Sequence, residues 1–153
     1  MIAEGQTAPD FTLPRDGGAT VTLSALRPGK VVLYFYPKDD TPGCTLEAQD
    51  FNARLADFIA AGATVIGVSK DSVKSHDKFC KKHGLSIVLA SDEAGHTCED
   101  YGVWVEKSMY GKTYMGVERT TVLIDGEGRV ARVWPKVSVK GHADEVLAAV
   151  RAL

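Results

Sequence analysis

The chain has 153 residues, of which 44% are hydrophobic and 25% are charged, and its net charge is −2 at pH 7. It contains no basic block and no apolar run of about 18 residues, so neither a nucleic-acid partner nor a membrane partner is expected. A chain of this length can bury a sizeable core, and we expect one domain that spans residues 1–153.

The three cysteines indicate where the protein works. Their number is odd, and the N-terminal residues lack the charged and apolar regions of an export signal. Both features favour reduced thiols over a disulfide framework. The sequence therefore predicts a cytoplasmic protein.

The first predicted element is a β-hairpin. Residues 10–13 and 20–23 alternate polar and apolar side chains on either side of a turn that contains two glycines. This hairpin precedes the main sheet as an N-terminal extension. A single helical turn at residues 24–26 follows it and ends before Pro28.

A reactive cysteine is predicted just after the first strand of the main sheet. Residues 31–36 form an apolar run without alternation, which is typical of a central strand covered on both faces. Thr41 followed by Pro42 matches an N-cap and a first helical residue, so Cys44 lies in the first turn of a helix. Unpaired backbone N–H groups and the helix dipole favour the thiolate there. The alternative is a buried, inert cysteine, but small and rigid residues surround this sulfur instead of bulky packing residues.

The helix that carries Cys44 is predicted to run to about residue 61, with Gly62 as its stop. A strand at residues 63–69 and a helix that begins at Asp71 or Ser72 and ends before Gly84 come next. Helical spacing puts two sets of side chains on inward-facing stripes: Phe51, Leu55, Phe58 and Ile59 on the first helix, and Val73, His76, Cys80 and His83 on the second.

The C-terminal half is predicted to contain a short strand at residues 86–90, a short helix at 96–101 and mostly loop at 104–117. Strands at residues 118–124 and 129–134 flank a strong hairpin turn. A final helix at residues 143–153 should face the core with Val146, Leu147, Val150 and Leu153. This βαβα…ββα order predicts an α/β fold with a mixed sheet and helices on both faces.

The segment Pro37-x3-Thr41-x2-Cys44 matches the Pro-x3-Thr/Ser-x2-Cys signature of the peroxiredoxins. The chain resembles the Q-type branch, also called the bacterioferritin comigratory protein family, from residue 5 to the C-terminal helix. The resemblance implies a thioredoxin-like fold and a thiol-dependent peroxidase that reduces hydrogen peroxide and small alkyl hydroperoxides. It also implies recycling by thioredoxin or a related reductant such as glutaredoxin. No haem, flavin or metal is required, so we expect no cofactor, and we expect a monomer.

The resemblance assigns the nucleophile to Cys44 and suggests which groups surround the peroxide. A thiolate attacks one oxygen while the other leaves, so the site needs donors aimed at the breaking O–O bond. The Thr41 hydroxyl and the backbone N–H groups of Gly43 and Cys44 are available for this role. Pro37 would shield the sulfur from water and fix the loop.

A fixed cation beside Cys44 must come from a distant part of the chain. Periodicity alone does not distinguish Arg119 from the other strand arginines, but residues 116–121 look like the segment that supplies the catalytic arginine of the family. The resemblance therefore assigns that role to Arg119. Glu47, one turn after Cys44, is predicted to pair with this cation and orient it, the alternative being an ordinary solvated glutamate.

The oxidised sulfur of Cys44 needs a second thiol for reversible turnover. Many Q-type relatives carry it five residues later on the same helix, where this chain has Gln49. The other arrangement in the family places it on the next helix, so the resemblance assigns the resolving role to Cys80 through an intramolecular disulfide. In the alternative, Cys80 is structural and an external thiol resolves Cys44. Cys98 is predicted to pack passively.

Three other functions compete with a peroxidase. His76, Cys80 and His83 share a helix face and could bind zinc with Cys44 or Cys98, but the chain has no Cys-x2-Cys pair. The same lack disfavours a dithiol oxidoreductase of the thioredoxin type. A non-enzymatic binding module remains open because a fold does not determine a function.

Overall fold

The computed structural model describes residues 2–153, which form nine β-strands and five α-helices. The strands are β1 (Thr12–Pro14), β2 (Thr20–Thr22), β3 (Lys30–Phe35), β4 (Ala63–Ser69), β5 (Val88–Ser91), β6 (Trp104–Met109), β7 (Lys112–Val117), β8 (Thr120–Ile124) and β9 (Val130–Trp134). The helices are α1 (Pro42–Ala53), α2 (Leu55–Ala60), α3 (Val73–His83), α4 (Thr97–Asp100) and α5 (His142–Ala152). Among these residues no helix combines the length and the apolar character that a membrane crossing requires.

The main sheet contains five strands in the order β5-β4-β3-β8-β9. The central strand β3 runs parallel to β4 and antiparallel to β8. Because β3 has a neighbour on each edge and side chains packed on both faces, every residue from Val31 to Tyr36 is buried. The mixed sheet and its element order confirm the predicted thioredoxin-like α/β fold. They also put the loop after β3 at the carboxyl edge of the parallel strands, where α/β folds place their sites.

The two faces of the sheet are covered by different elements. On one face, residues of β3 such as Val32 and Tyr34 pack with α1, α2, α3 and α5, and this core includes Cys44 with Cys80 packed against it. On the other face, β3 packs with the N-terminal hairpin, with Cys98 of the short helix α4 and with Tyr101, which follows that helix. Helices therefore lie on both faces, as predicted, but the long ones share one face with the reactive cysteine.

The predicted N-terminal hairpin is confirmed, with β1 and β2 paired antiparallel. Its tip is a 3-10 helix, Asp16–Gly18, that contacts α3. The Gly17 N–H donates to Asp77 Oδ1 of α3 at 2.8 Å, and Asp16 Oδ1 accepts from the Leu89 N–H of β5 at 2.9 Å. The hairpin tip thus anchors α3 against the edge of the sheet.

The prediction of one helix to about residue 61 is wrong, because the helix breaks at Arg54, whose φ and ψ are −106° and 8°. The Arg54 guanidinium donates to Asp144 of α5, which holds the residue at the break. In the second segment Phe58 is buried as predicted, whereas Ile59 is 61% exposed, contrary to the prediction. Leu153 is also exposed, since it lies beyond the end of α5.

The prediction of a loop at residues 104–117 is wrong as well. Strands β6 and β7 pair antiparallel along six residues each, around a turn in which Tyr110 and Gly111 have φ values of 53° and 76°. This hairpin lies outside the main sheet and most of its side chains are partly or fully exposed, so it has no buried face to produce an alternating apolar pattern. Its second strand leads directly to Arg119.

Candidate active site

Cys44 is the third residue of α1 and is buried, with 2% of its surface exposed. Thr41 is the N-cap residue in an extended conformation, and Pro42 is the first helical residue. The first helical hydrogen bond runs from the Thr45 N–H to the Thr41 carbonyl oxygen at 2.8 Å. The N–H groups of Gly43 and Cys44 precede that bond, in the turn that surrounds the sulfur.

Arg119 contacts both Cys44 and Glu47. Its Nη2 donates to the Cys44 sulfur at 3.3 Å and its Nη1 donates to Glu47 Oε1 at 2.7 Å. The arginine lies between β7 and β8, because β8 begins at Thr120, two residues after the predicted strand start. The Arg119 carbonyl oxygen accepts from the Val137 N–H at 2.9 Å. Arg119 is thus fixed both at its guanidinium and at its backbone. The structure thus brings Arg119 into contact with Cys44 and Glu47, although it is distant from both in the sequence.

Gly43 provides the space for this cation. A Cβ atom at residue 43 would lie 3.2 Å from Arg119 Nη2, closer than most side-chain contacts in proteins. Any larger residue would therefore push the guanidinium away from the sulfur. The glycine of the Thr-Pro-Gly-Cys sequence has a steric role as well as the predicted backbone role.

Glu47 is buried, with 1% of its surface exposed. Its Oε1 accepts from Arg119, whereas its Oε2 has no hydrogen-bond partner among residues 2–153. Burial raises the pKa of this carboxyl to about 7, and the neighbouring Arg119 charge opposes the rise. The carboxyl therefore changes its charge near neutral pH, in direct contact with the Arg119 guanidinium.

A Glu47→Gln variant tests this burial through the pH dependence of stability. The carboxyl has an ordinary pKa of 4.5, which we take for the unfolded chain, and a pKa of about 7 in the folded protein. Between these values the folded state binds more protons, so the contribution of this group to the free energy of unfolding falls as the pH rises. Glutamine does not titrate. We expect the difference in unfolding free energy between wild type and variant to fall across this window in urea titrations, and parallel profiles would contradict the raised pKa.

The remaining predicted peroxide-binding groups, Pro37 and Thr41, lie in the segment between β3 and α1. The Thr41 hydroxyl donates to the Lys38 carbonyl oxygen at 2.9 Å, so its oxygen is left as an acceptor. Pro37 and Lys38 are exposed. Between this pair and Thr41 lies Asp39, a buried residue that sequence reasoning treated only as part of a loop. The sequence feature that could have indicated a buried partner of this kind is His76, because a titratable residue on a stripe predicted to face the core needs a hydrogen-bond partner there.

All three cysteines are free thiols. Cys80 is half-buried on α3 and packs against the same core as Cys44. Burial raises its pKa to about 12, with a further contribution from the charges of Asp16, Asp39 and Asp77. Burial likewise raises the pKa of Cys98, on the other face of the sheet.

The zinc alternative does not match the geometry. Within the described part of the chain, the group whose ligand atoms converge is Asp39, Asp71 and His76, and it includes neither Cys80 nor His83. Both ring nitrogens of His76 already face acceptors, Asp39 and the Ala90 carbonyl oxygen. A metal needs a free lone pair on the imidazole, which this arrangement does not offer.

A thioredoxin-like sheet that presents a buried cysteine at a helix N-terminus, with an arginine bonded to its sulfur, defines the class of thiol-dependent peroxidases. The model of the AhpC/TSA family matches residues 4–133. The chain belongs to this family, and within it to the Bcp/PrxQ peroxiredoxins, as the resemblance implied.

Two relatives and a solved structure illustrate this membership. Peroxiredoxin Bcp of Xanthomonas campestris is 52% identical over 94% of this chain and 89% of its own length. Peroxiredoxin Bcp of Bacillus subtilis is 49% identical over 95% of this chain and 93% of its own length. The X. campestris bacterioferritin comigratory protein, solved in trapped intermediate and ligand complexes that concern alkyl peroxide reduction, superposes with a TM-score of 0.91 at 48% identity and covers 98% of each chain.

Two further solved structures of X. campestris peroxiredoxin Q carry a serine in place of one cysteine each, with TM-scores of 0.91 at 49% identity. The two replaced cysteines are separated by the same number of residues as Cys44 and Cys80.

Proposed function

We propose that this peroxiredoxin reduces hydrogen peroxide and small alkyl hydroperoxides with Cys44 as the nucleophile. The observation that carries the proposal is the hydrogen bond from Arg119 to the Cys44 sulfur. It brings a fixed cation and a nucleophile together in the first turn of α1. The work on alkyl peroxide reduction by the X. campestris relative supports organic hydroperoxides as substrates.

In the first step the Cys44 thiolate attacks the terminal oxygen of the hydroperoxide. The S–O bond forms as the O–O bond breaks, the sulfur becomes a sulfenic acid, and the leaving oxygen takes a proton to give water or an alcohol. Arg119 and the N–H groups of Gly43 and Cys44 stabilise the negative charge that moves toward the leaving oxygen. The Thr41 oxygen accepts the hydroperoxide O–H, and Pro37 limits the access of water.

In the second step Cys80 resolves the sulfenic acid. Its sulfur attacks that of Cys44, the S–S bond forms and the hydroxyl leaves as water. The attacking species is a thiolate, whereas a pKa of about 12 keeps Cys80 protonated in the folded state. We infer that α3 and the first turn of α1 open locally, which releases Cys80 from burial and from the neighbouring carboxylates. The sequence Thr-Pro-Gly at the start of α1 contains poor helix formers and opens at low cost.

A dithiol reductant of the thioredoxin type then reduces the disulfide by exchange and is itself oxidised. Because both sulfurs belong to one chain, resolution requires no second subunit, and we infer a monomer that works as one domain over residues 1–153. The three free thiols fit the reducing conditions of the cytoplasm.

A Cys80→Ser variant tests the second step. We expect it to react with the first equivalent of peroxide at the wild-type rate but to lose turnover with thioredoxin, while its Cys44 accumulates as sulfinic acid. In the wild type, peptide mapping after one equivalent of peroxide should show Cys44 joined to Cys80, and helix content should fall reversibly. Cys98→Ser is the matched control and should retain turnover.

Two results would contradict this mechanism. Mapping that joins Cys44 to Cys98, or to a second chain, would remove Cys80 from its role. Full turnover of Cys80→Ser with an external thiol would establish the one-cysteine alternative, in which the half-buried Cys80 is structural.

A further inference from the structure

Asp39 links the loop before Cys44 to the helix that carries Cys80. It lies between β3 and α1 and is buried, with 7% of its surface exposed. Its carboxylate accepts from the Tyr36 hydroxyl, from the Ser75 hydroxyl at 2.8 Å and from His76 Nδ1 at 2.7 Å. Its N–H donates to Asp71 Oδ2 at 2.9 Å. Every polar group of the Asp39 side chain is thus engaged, and two of its partners belong to α3.

His76 is fully buried, and its neighbours determine its protonation. Nε2 lies 3.0 Å from the Ala90 carbonyl oxygen, which can only accept, so Nε2 carries a hydrogen. Nδ1 faces the Asp39 carboxylate and donates to it in turn. His76 is therefore an imidazolium paired with a carboxylate, and although burial acts against the charge, Asp39 raises the pKa of His76 overall. The other ionisable groups that face the pair are Asp71 and Tyr36.

A second pair joins the same loop to the other end of α3. Asp40 accepts from Lys82 at 2.7 Å and lies 3.0 Å from His83 Nε2, but all of these groups are more exposed than His76. Exposed pairs contribute little to stability, whereas loss of one partner of a buried pair leaves an uncompensated charge. The Asp39–His76 pair is therefore the stronger of the two links, and it lies one helical turn before Cys80.

We propose that the buried Asp39–His76 pair is a positioning element of the peroxidase, which holds the loop that presents Cys44 and, at the same time, keeps the Cys80 helix closed. This proposal rests on the proposed function, in which Cys80 is the resolving thiol. The pair acts on the two steps in opposite directions. It speeds the reaction of Cys44 with peroxide by fixing the loop, and it slows disulfide formation by opposing the opening of α3.

Asp39→Asn tests the proposal, because an amide can donate to Nδ1 of a neutral His76 and leave the network hydrogen-bonded but uncharged. Stopped-flow mixing separates the peroxide-dependent oxidation of Cys44 from the peroxide-independent formation of the disulfide. We expect the first rate to fall roughly 10-fold or more, since small displacements of reacting groups have effects of this size. We expect the second rate to rise. Nitrogen NMR of His76 should show a doubly protonated ring at neutral pH in the wild type and a singly protonated ring in the variant.

Two further variants make the test sharp. Ser75→Ala removes one hydrogen bond to Asp39 without changing any charge, and it should shift both rates in the same directions as Asp39→Asn but by smaller factors. This variant keeps the proposal testable if Asp39→Asn does not fold. Asp40→Asn removes the exposed pair and should change neither rate by more than about twofold.

Several outcomes would overturn the proposal. If Asp39→Asn loses the imidazolium signal but keeps both rates unchanged, the charged pair positions neither the Cys44 loop nor the Cys80 helix. Equal effects of Asp40→Asn would show that any link between loop and helix suffices. Stoichiometric metal in the purified protein, with Asp39→Asn removing it, would replace the ion pair by a metal site. If the wild type shows no disulfide phase at all, the resolving role of Cys80 fails, while the oxidation rates still test the positioning of Cys44.

Discussion

A Cys44→Ser variant is expected to lose peroxide reduction completely and to keep its fold. The serine hydroxyl is not ionised at pH 7, so no nucleophile remains opposite Arg119. The substitution is nearly isosteric, and the hydroxyl can still accept the hydrogen bond that the sulfur accepts from Arg119 Nη2. Peroxide consumption by the reduced protein, followed with thioredoxin as reductant, measures the loss.

Cys98→Ser serves as the control, because Cys98 is equally buried but lies in the core on the other face of the sheet. It should consume peroxide at the wild-type rate. Circular dichroism and thermal unfolding of both variants check that the fold is retained. Residual activity of Cys44→Ser above a few per cent of the wild-type rate would move the nucleophile to another residue.

The second large effect is expected from Arg119→Ala, which should slow the oxidation of Cys44 by roughly 10²-fold or more, the scale seen when one preorganised donor to a transition state is lost. The substitution removes the bond to the sulfur and leaves the buried Glu47 carboxyl without its partner. Stopped-flow oxidation under single-turnover conditions measures the chemical step separately from recycling.

Two matched variants distinguish the geometry of Arg119 from its charge. Arg119→Lys keeps the charge but cannot bond to Cys44 and Glu47 as a planar fork, so its rate should fall between those of alanine and wild type. Arg129→Ala removes an exposed arginine from a neighbouring strand end and should have no effect. Oxidation of Arg119→Ala at the wild-type rate would exclude this residue from the mechanism.

Local patterns were sufficient to predict most of the fold. The unbroken apolar run at residues 31–36 identified the central strand, because only a strand covered on both faces tolerates it. Thr41 and Pro42 identified the start of α1, and Gly84 and Ser72 bounded α3, because capping residues act within a single turn. These signals depend on a few neighbouring residues, so no knowledge of the tertiary structure was needed.

Features that depend on contacts between distant residues could not be obtained in this way. Arg119 was selected by resemblance alone, since it lies 75 residues from Cys44 along the chain and nothing near it in sequence marks it. The β6–β7 hairpin was missed because its exposed side chains carry no buried periodicity. The partnership of Asp39 with His76 was missed for a similar reason, as a loop aspartate gives no local sign that it will be buried.

The location of the three thiols determines what chemical modification of each one reveals about the protein. A disulfide requires Cα atoms within about 7 Å of each other, and the five-stranded sheet separates Cys98 from the core that holds Cys44 and Cys80. The sheet thus insulates one thiol from the redox exchange of the other two. Alkylation of Cys98 therefore indicates that the chain has unfolded, whereas oxidation of Cys44 indicates that it has reacted with peroxide. Unfolding and turnover can thus be measured separately on one chain.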